Sequence, residues 1–482
     1  MIGNKEQTDV IVIGSGVTGM AAAVTAAEGG AKVIVFEKQQ SLGGTSNFFS
    51  GLFAVETERQ RINYITYSRD EAFKNIMEYS HWRANARLVR AVVNESAETV
   101  AWFMHYGVEF RPETINMPES PRTYHPVKGQ GASIIKALAT AGKERGVRFE
   151  PGVTVRRIVK EGGRIAGVVA EKNDEEIEFA ARAVIIASGG YANNKEWIKK
   201  YCGFDLNVNM TPIGNVDKMG DGIRMAFEAG AAEEGLGVLE TFSAGPFGPD
   251  YVLKGSLEMV GAQPDLWVDP RGERYCDESV SFYDTSMGNA SARYKEGFTY
   301  RLSDDSILQI LMEKGIEKQV GMDNPVGTRP VDFARELKAA LERGSTDVFA
   351  ADSIEELAEK MGVEKDVLKA TVEEYNNFCA RGHDELFAKD RKYLRPLKGP
   401  KFYAIRARCI FLGTLGGIKI NHRAEVIDKK GNIIPGLYAG GFDAGGMWGD
   451  SYCIKVSSGL SAGFAANSGR IAGKNVLKYL GS

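Results

Sequence analysis

A chain of 482 residues with a formal charge of −3 at pH 7, 43% apolar and 26% charged, has the balance of a globular protein and is neither disordered nor fibrous. At roughly 150 residues per domain it has room for two or three lobes, and its near-neutral charge gives no electrostatic reason to expect a nucleic-acid partner. The 56 glycines follow no Gly-X-Y period, which excludes collagen.

The five cysteines (Cys202, Cys276, Cys379, Cys409, Cys453) are scattered and form no CxxC pair. That argues against a disulfide framework, structural zinc and cysteine-held iron–sulfur clusters, and no metal site is expected. No run approaches the ~18 apolar residues of a membrane span. The N-terminus lacks a basic segment before its first apolar run, so the expected address is the cytoplasm.

The apolar run Val10–Ile13 opens into Gly14-Ser15-Gly16-Val17-Thr18-Gly19, then a small-residue helix from Met20 to Ala27, then a second strand, Lys32–Phe36, ending on Glu37. This is GxGxxG in its required strand, turn, helix and strand context, with the acid 23 residues after Gly14. Gly14 permits the turn, Gly16 admits a pyrophosphate close to the backbone, and Gly19 lets the helix pack on the strand. The helix N-terminus offers N–H groups to the anion, and Glu37 can accept from ribose hydroxyls.

A second glycine-rich turn follows at once, Glu37-Lys38 through Gly43-Gly44-Thr45-Ser46 to Gly51. A nicotinamide domain does not need it. Here the chain resembles the fumarate reductase/succinate dehydrogenase flavoprotein superfamily of FAD-binding 2 type, in which such a stretch lies along FAD. The resemblance implies an α/β fold: a Rossmann-type FAD-binding domain with an inserted α+β capping domain. Covalent members carry a histidine in this stretch; this sequence has none, so non-covalent FAD is expected.

Residues 70–105 read as helical, with Trp82, Leu88, Val89, Val92 and Val93 giving the apolar spacing. The loop at 118–131 resembles the family's "HRP..GG" element, and a helix over 132–145 ends at Gly146. Strands are expected at 147–150, 153–159, 164–171 and 176–180. Ala183 to Tyr191 is another strand running into a double glycine and resembles "ATGG", while Met219–Gly222 resembles "TGDG". From about 240 aromatic residues dominate, and Leu266–Glu278 resembles the capping-domain segment "vn..GkRF.nE", with Arg274 and Glu278 as an internal ion pair or a proton path. Residues 302–345 and 352–378 read as charged amphipathic helices. Ile434–Asp443 resembles "iPGLYa.Ge", and the last helix, from Gly459, is the one that the family aims at flavin O2.

The resemblance thus implies cofactor contacts at Gly14, Ser15, Gly16, Thr18, Gly19, Glu37, Lys38, Gly43, Gly44, Thr45, Ser46, Gly51, Val153, Ala187, Ser188, Gly189, Asp221, Gly441, Asp443, Gly459, Leu460 and Ser461. One departure is Phe442, where the family has Glu; Asp443 is offered for its ribityl contact.

The family's dicarboxylate chemistry is missing. Fumarate reductases hold two carboxylates with a cap His, a His before "TMGG" and an Arg in "NRLGG", and a cap Arg delivers the proton. No histidine lies between 126 and 382, the "TMGG" histidine corresponds to Gly413, and the proton-delivering arginine falls at Leu308. Asp450-Ser-Tyr452-Cys-Ile-Lys455 replaces "NRLGG". Neutral side chains cannot hold a dianion against its desolvation cost. Tyr124, Phe242, Phe247, Tyr251, Met447 and Trp448 form the expected substrate pocket instead, suited to a hydrophobic ring compound.

Residues 449–452 also resemble the "GhTYpG" segment of 3-ketosteroid dehydrogenases, whose tyrosine works in proton transfer. Tyr452 is therefore a candidate catalytic residue, or a packing tyrosine. Lys455 is a candidate donor or a solvated lysine, and His125 a candidate catalytic or structural histidine.

The expected organisation is an FAD domain over 1–240 and 410–482 with a capping domain over 241–409. The expected reaction moves hydride between flavin N5 and an activated C–C bond of a ring substrate such as an isoflavonoid or steroid. Desaturation by a 3-ketosteroid-type dehydrogenase, a fumarate-type reductase and a non-catalytic electron carrier are the alternatives. No second GxGxxG marks a nicotinamide domain, so NADH or NADPH binding transiently, or an electron-donor protein, would supply electrons.

Overall fold

The computed structural model describes residues 6–114, 117–248, 254–321 and 323–481. The chain forms two compact units, one of Met1–Gly203, Ile213–Glu240 and Leu412–Ser482, the other of Phe204–Pro212 and Thr241–Phe411. Residues 204–212, expected in the first domain, belong to the second unit because Thr211–Pro212 pairs in parallel with Ile410–Phe411.

The first unit is organised by β1 (Glu6–Ile13), whose run from Val10 to Ile13 is apolar on both faces and so suits the middle of a parallel sheet. It pairs in parallel with β2 (Val33–Glu37) on one side and with Glu175–Ile186 on the other. Arg148–Pro151 and Ile433–Ala439 extend this parallel sheet outward. Thr154–Glu161 and Arg164–Lys172 add an antiparallel meander to the Glu175–Ile186 strand. The α/β, Rossmann-type class is the one observed.

Helix α1 (Val17–Glu28) is buried along nearly its whole length, as its alanine-rich sequence allows. The C-terminal helix Leu460–Leu480 packs on it at very short range. A Cβ on Gly469 would fall 2.2 Å from the Thr18 carbonyl oxygen, and one on Gly473 2.7 Å from that of Ala22. Close packing here outweighs the cost of about 1 kcal/mol that glycine carries in a helix interior.

Three further sequence expectations change in this unit. The 70–105 helix is two helices, Arg69–Tyr79 and Ala86–His105, because His81 and Trp82 adopt positive φ and Asn85 caps a new start. Trp82 is exposed rather than core. The expected 176–180 and 183–191 strands are one, ending at Ile186.

The second unit carries an antiparallel sheet in which Phe298–Asp304 lies between Leu266–Val268 and the long strand Phe402–Thr414. Residues 302–345, expected as helix, begin in that strand. Helices Asp305–Lys314 and Phe333–Glu342 follow, separated where Gly315 (φ +80°) packs on Gly327. The expected 352–378 helix breaks at Gly362 (φ +74°) into Ile354–Met361 and Lys365–Arg381. Tyr300, Leu302, Val348, Leu357, Leu368, Tyr375 and Ile405 form this unit's main core.

Candidate functional site

A cavity of about 240 Å³ lies in the first unit beyond the C-terminal end of β1, where ligands of open α/β sheets bind. The turn leaving β1 is possible only with glycine. Gly14 has φ +102°, and a Cβ there would fall 2.3 Å from the Ala187 carbonyl oxygen; one on Gly19 would fall 1.9 Å from that of Gly14. Of the residues anticipated from sequence, Gly14, Ser15, Gly16, Glu37, Lys38, Gly44, Thr45, Val153, Ala187, Ser188 and Asp221 line this cavity.

Glu37 is tied to the turn it faces, accepting from the Ser15 N–H (3.0 Å) and hydroxyl (2.6 Å) and from the Gln39 N–H (2.9 Å). The second glycine turn docks on the first: the Gly43 N–H donates to Ser15 Oγ at 2.9 Å, and Ser46 Oγ accepts from the Val17 N–H at 3.0 Å. Lys38 bridges Asp217 (2.9 Å) and Asp221 (3.0 Å). Burial opposes its charge, but these two acids hold its pKa above the ordinary lysine value.

Lys218, which no sequence motif signalled, also lines the cavity. Its ammonium donates to the Ser188 carbonyl at 3.2 Å and lies where a Cβ on Gly189 would be 2.9 Å away and one on Gly44 3.5 Å. Burial pushes its pKa down, against the pull of Glu37 and Asp443. Two glycine turns, a helix N-terminus, a lysine between the turns and an acid at the end of β2 fit the pyrophosphate and ribose of FAD.

Other anticipated residues build the frame. Gly441 packs on Thr18, whose hydroxyl would meet a Cβ at 2.4 Å. Asp443, offered for the ribityl contact, turns elsewhere: its carboxylate is buried and accepts from Ser188 Oγ (3.0 Å) and from the N–H groups of Gly189 (2.9 Å) and Gly190 (3.0 Å). Gly51 opens a short strand, Gly51–Phe53, paired with Tyr124–Pro126. Gly459 (φ +83°) crosses it so closely that a Cβ would fall 2.7 Å from Leu52 C and 2.8 Å from the Tyr124 ring. Leu460 then starts the final helix.

Ahead of that helix, Met447, Trp448 and Tyr452 are buried, and the Trp448 and Tyr452 rings meet edge-on at 5.2 Å. The Tyr452 hydroxyl donates to Ser461 Oγ (3.3 Å), which donates to Glu240 Oε1 (3.0 Å). Burial first, then the Glu240 charge, pushes the Tyr452 pKa well above the ordinary phenol value. Glu240 was not anticipated, since it stands in no motif.

His125 has the surroundings of a structural histidine. It is fully buried, with Nδ1 on the Thr123 carbonyl and Nε2 on the Thr57 hydroxyl, both at 3.1 Å. Burial lowers its pKa to about 4, leaving the ring neutral, with no nitrogen to offer a substrate. Lys455 is exposed to solvent. Phe242 and Phe247 lie in the second unit, where Phe242 packs beside Trp267, Tyr275 and Met287. Tyr251 lies outside the described residues. Arg274 and Glu278 form a buried ion network with Asp384 and Lys389. Among the described residues no group of His, Cys, Asp or Glu has the arrangement of a metal site, and no helix is long and apolar enough to cross a membrane.

A Cβ on Gly413 would fall 2.2 Å from the Phe442 ring, so that ring takes the space a histidine side chain would need.

Residues 9–451 match the FAD binding domain family, and the chain belongs to it: it is an FAD-dependent oxidoreductase of the fumarate reductase/succinate dehydrogenase flavoprotein superfamily. It is 32% identical to the vinyl phenol reductase of Lactiplantibacillus plantarum, over 99% of this chain and 98% of that protein. The open conformation of a flavocytochrome c3 fumarate reductase matches with TM-score 0.76 and 25% identity, covering 99% of this chain and 79% of that one. The 3-ketosteroid delta1-dehydrogenase of Sterolibacterium denitrificans shares the fold, with TM-score 0.79 and 20% identity over 98% of this chain and 100% of that one.

Proposed function

We propose that this chain holds FAD non-covalently and reduces a carbon–carbon double bond conjugated to a hydrophobic ring, with vinyl-substituted phenols as the leading substrate class. The observation that carries this reading is the Gly413–Phe442 contact: an apolar ring fills the space at the position that the sequence resemblance aligns with a histidine of the dicarboxylate reductases. The whole-length similarity to a vinyl phenol reductase supports the same class. Isoflavonoids and steroids are larger ring substrates of the same chemistry.

Bound FAD would supply the hydride. Gly14, Gly16, Gly44 and Lys218 would hold its pyrophosphate and Glu37 its ribose, while no histidine in the 37–51 stretch is present to bond it covalently. Tyr452 keeps its proton at every physiological pH and acts as the acid that protonates the carbon next to the one taking hydride. Electrons come from outside the chain, from NADH, NADPH or a donor protein.

The test is product analysis. Holoenzyme with an artificial reductant should convert 4-vinylphenol to 4-ethylphenol, and Tyr452→Phe should lower the rate by roughly 100-fold while retaining FAD. Wild-type turnover of fumarate but not of 4-vinylphenol would refute the reading.

A further inference from the structure

We propose that Glu240 and Ser461 are a proton relay to Tyr452, Glu240 storing the proton and the Ser461 hydroxyl passing it on. The relay rests on the reading of Tyr452 as the acid. Its members come from two distant parts of the chain: Glu240 from the strand Leu239–Ala244, and Tyr452 and Ser461 from the segment before the final helix and that helix's first turn. The two contacts, 3.3 Å and 3.0 Å, form a continuous hydrogen-bonded path in a region where Glu240 and Tyr452 are both buried.

Anchoring Ser461 requires only a neutral acceptor such as a glutamine amide. A carboxyl group at that position carries a desolvation cost, and what it adds is the capacity to take up and release a proton. The 21-residue helix beginning at Leu460 offsets part of that cost, since its N-terminus favours negative charge nearby.

Tyr452 by itself can serve only once. The anion left after proton donation would be buried beside Glu240, and those same two features hold the phenol in its neutral form. Cys453, which also faces it, offers no compensating charge, because burial pushes its thiol up to about 11. The proton must therefore be replaced as it leaves. The Tyr452 O–H bond breaks as the new C–H bond forms on the substrate, and the Ser461 proton moves to the tyrosine oxygen. The hydrogen bonds running from Tyr452 to Ser461 to Glu240 belong to the ionised carboxylate. Once Glu240 takes a proton from water both hydroxyls turn round, so that Glu240 donates to Ser461 and Ser461 to Tyr452. The carboxylic proton then moves to Ser461 in the same step, which leaves the carboxylate to be recharged by water. Bound FAD in its reduced form would supply the electron pair as hydride, and an external two-electron donor would restore it. Run in reverse, the same path would accept a proton from a saturated substrate, so direction is set by the redox partner rather than by the relay.

The experiment uses FAD-loaded wild type, Tyr452→Phe, Glu240→Gln, Ser461→Ala and Ser461→Thr, with dithionite as donor and 4-vinylphenol as substrate, in H2O and D2O. Glu240→Gln and Ser461→Ala should lower kcat by roughly 10- to 100-fold, leave KM within about twofold of wild type and raise the solvent isotope effect. Ser461→Thr, which keeps a hydroxyl, should recover most of the rate. A structural role would change FAD retention or KM and leave the isotope effect alone. If Tyr452→Phe is impaired while Glu240→Gln and Ser461→Ala keep the wild-type kcat and isotope effect, the relay is overturned and the acid stands. If Tyr452→Phe is fully active, or wild type reduces no C=C compound, the reading of the acid fails and the relay fails with it. Should Glu240→Gln not retain FAD, the Ser461→Ala and Ser461→Thr pair decides alone.

Discussion

Gly413 and Phe442 are a complementary pair: the ring of one occupies the volume that any side chain on the other would need, with 2.2 Å between Cε2 of Phe442 and the position of a Cβ on Gly413. Read singly, each is a departure from the dicarboxylate reductases; together they are one packing unit. Gly413→Ala should destabilise the protein by about 1–3 kcal/mol through overpacking. In a Phe442→Ala background the same substitution should cost little, giving a coupling of about 1–2 kcal/mol in a double-mutant cycle by denaturant unfolding.

The Asp443 carboxylate ties the 188–190 turn to the end of the Ile433–Ala439 strand through three donors. Asp443→Asn would set an amide N–H2 against one of these donors, a loss of about 1–3 kcal/mol. The expected result is lower thermal stability and weaker FAD retention after gel filtration, because Ser188 belongs to the cavity wall.

His125 makes the fold acid-sensitive. Its folded pKa of about 4 lies below the ordinary histidine value, because burial disfavours the imidazolium. The unfolded chain therefore binds the proton first. The contribution is complete above about pH 6.5 and is lost as pH falls toward 4. Between pH 7 and pH 5 this amounts to about 2 kcal/mol. Urea midpoints should fall more steeply over that range in wild type than in His125→Gln.

In the second unit, Glu278 neutralises Arg274 (2.8 Å) and Lys389 (3.0 Å), all three buried. Removing the acid strands cationic charge in the interior, so Glu278→Ala should cost about 3–5 kcal/mol. Glu278→Gln, which keeps the hydrogen-bonding shape, should cost less.

The cofactor side of the molecule was legible because its geometry is local. Gly14, Gly16 and Gly19 are spaced by the turn they must make, and Glu37 by the length of one α–β step. Lys218 and Glu240 were not legible, since each reaches its partners through tertiary packing and stands in no spaced pattern. The partners of Asp443 are not legible either, because the sequence does not reveal that the 188–190 turn points three donors at it. For His125 the loop sequence leaves a catalytic and a structural role open, and its burial and two hydrogen-bonded nitrogens appear only in the fold. The single helix expected over 70–105 failed at Ser80–Asn85, where positive φ at His81 and Trp82 breaks a periodicity that otherwise continues.

The most direct test is anaerobic. The bound flavin is photoreduced, and its reoxidation is followed by absorbance after mixing with 4-vinylphenol, a 3-keto-4-ene steroid, an isoflavonoid or fumarate. The account predicts rapid reoxidation by a ring-conjugated alkene and none by fumarate. Rapid reoxidation by fumarate would show that the Gly413–Phe442 wall does not exclude a dicarboxylate, and would contradict it.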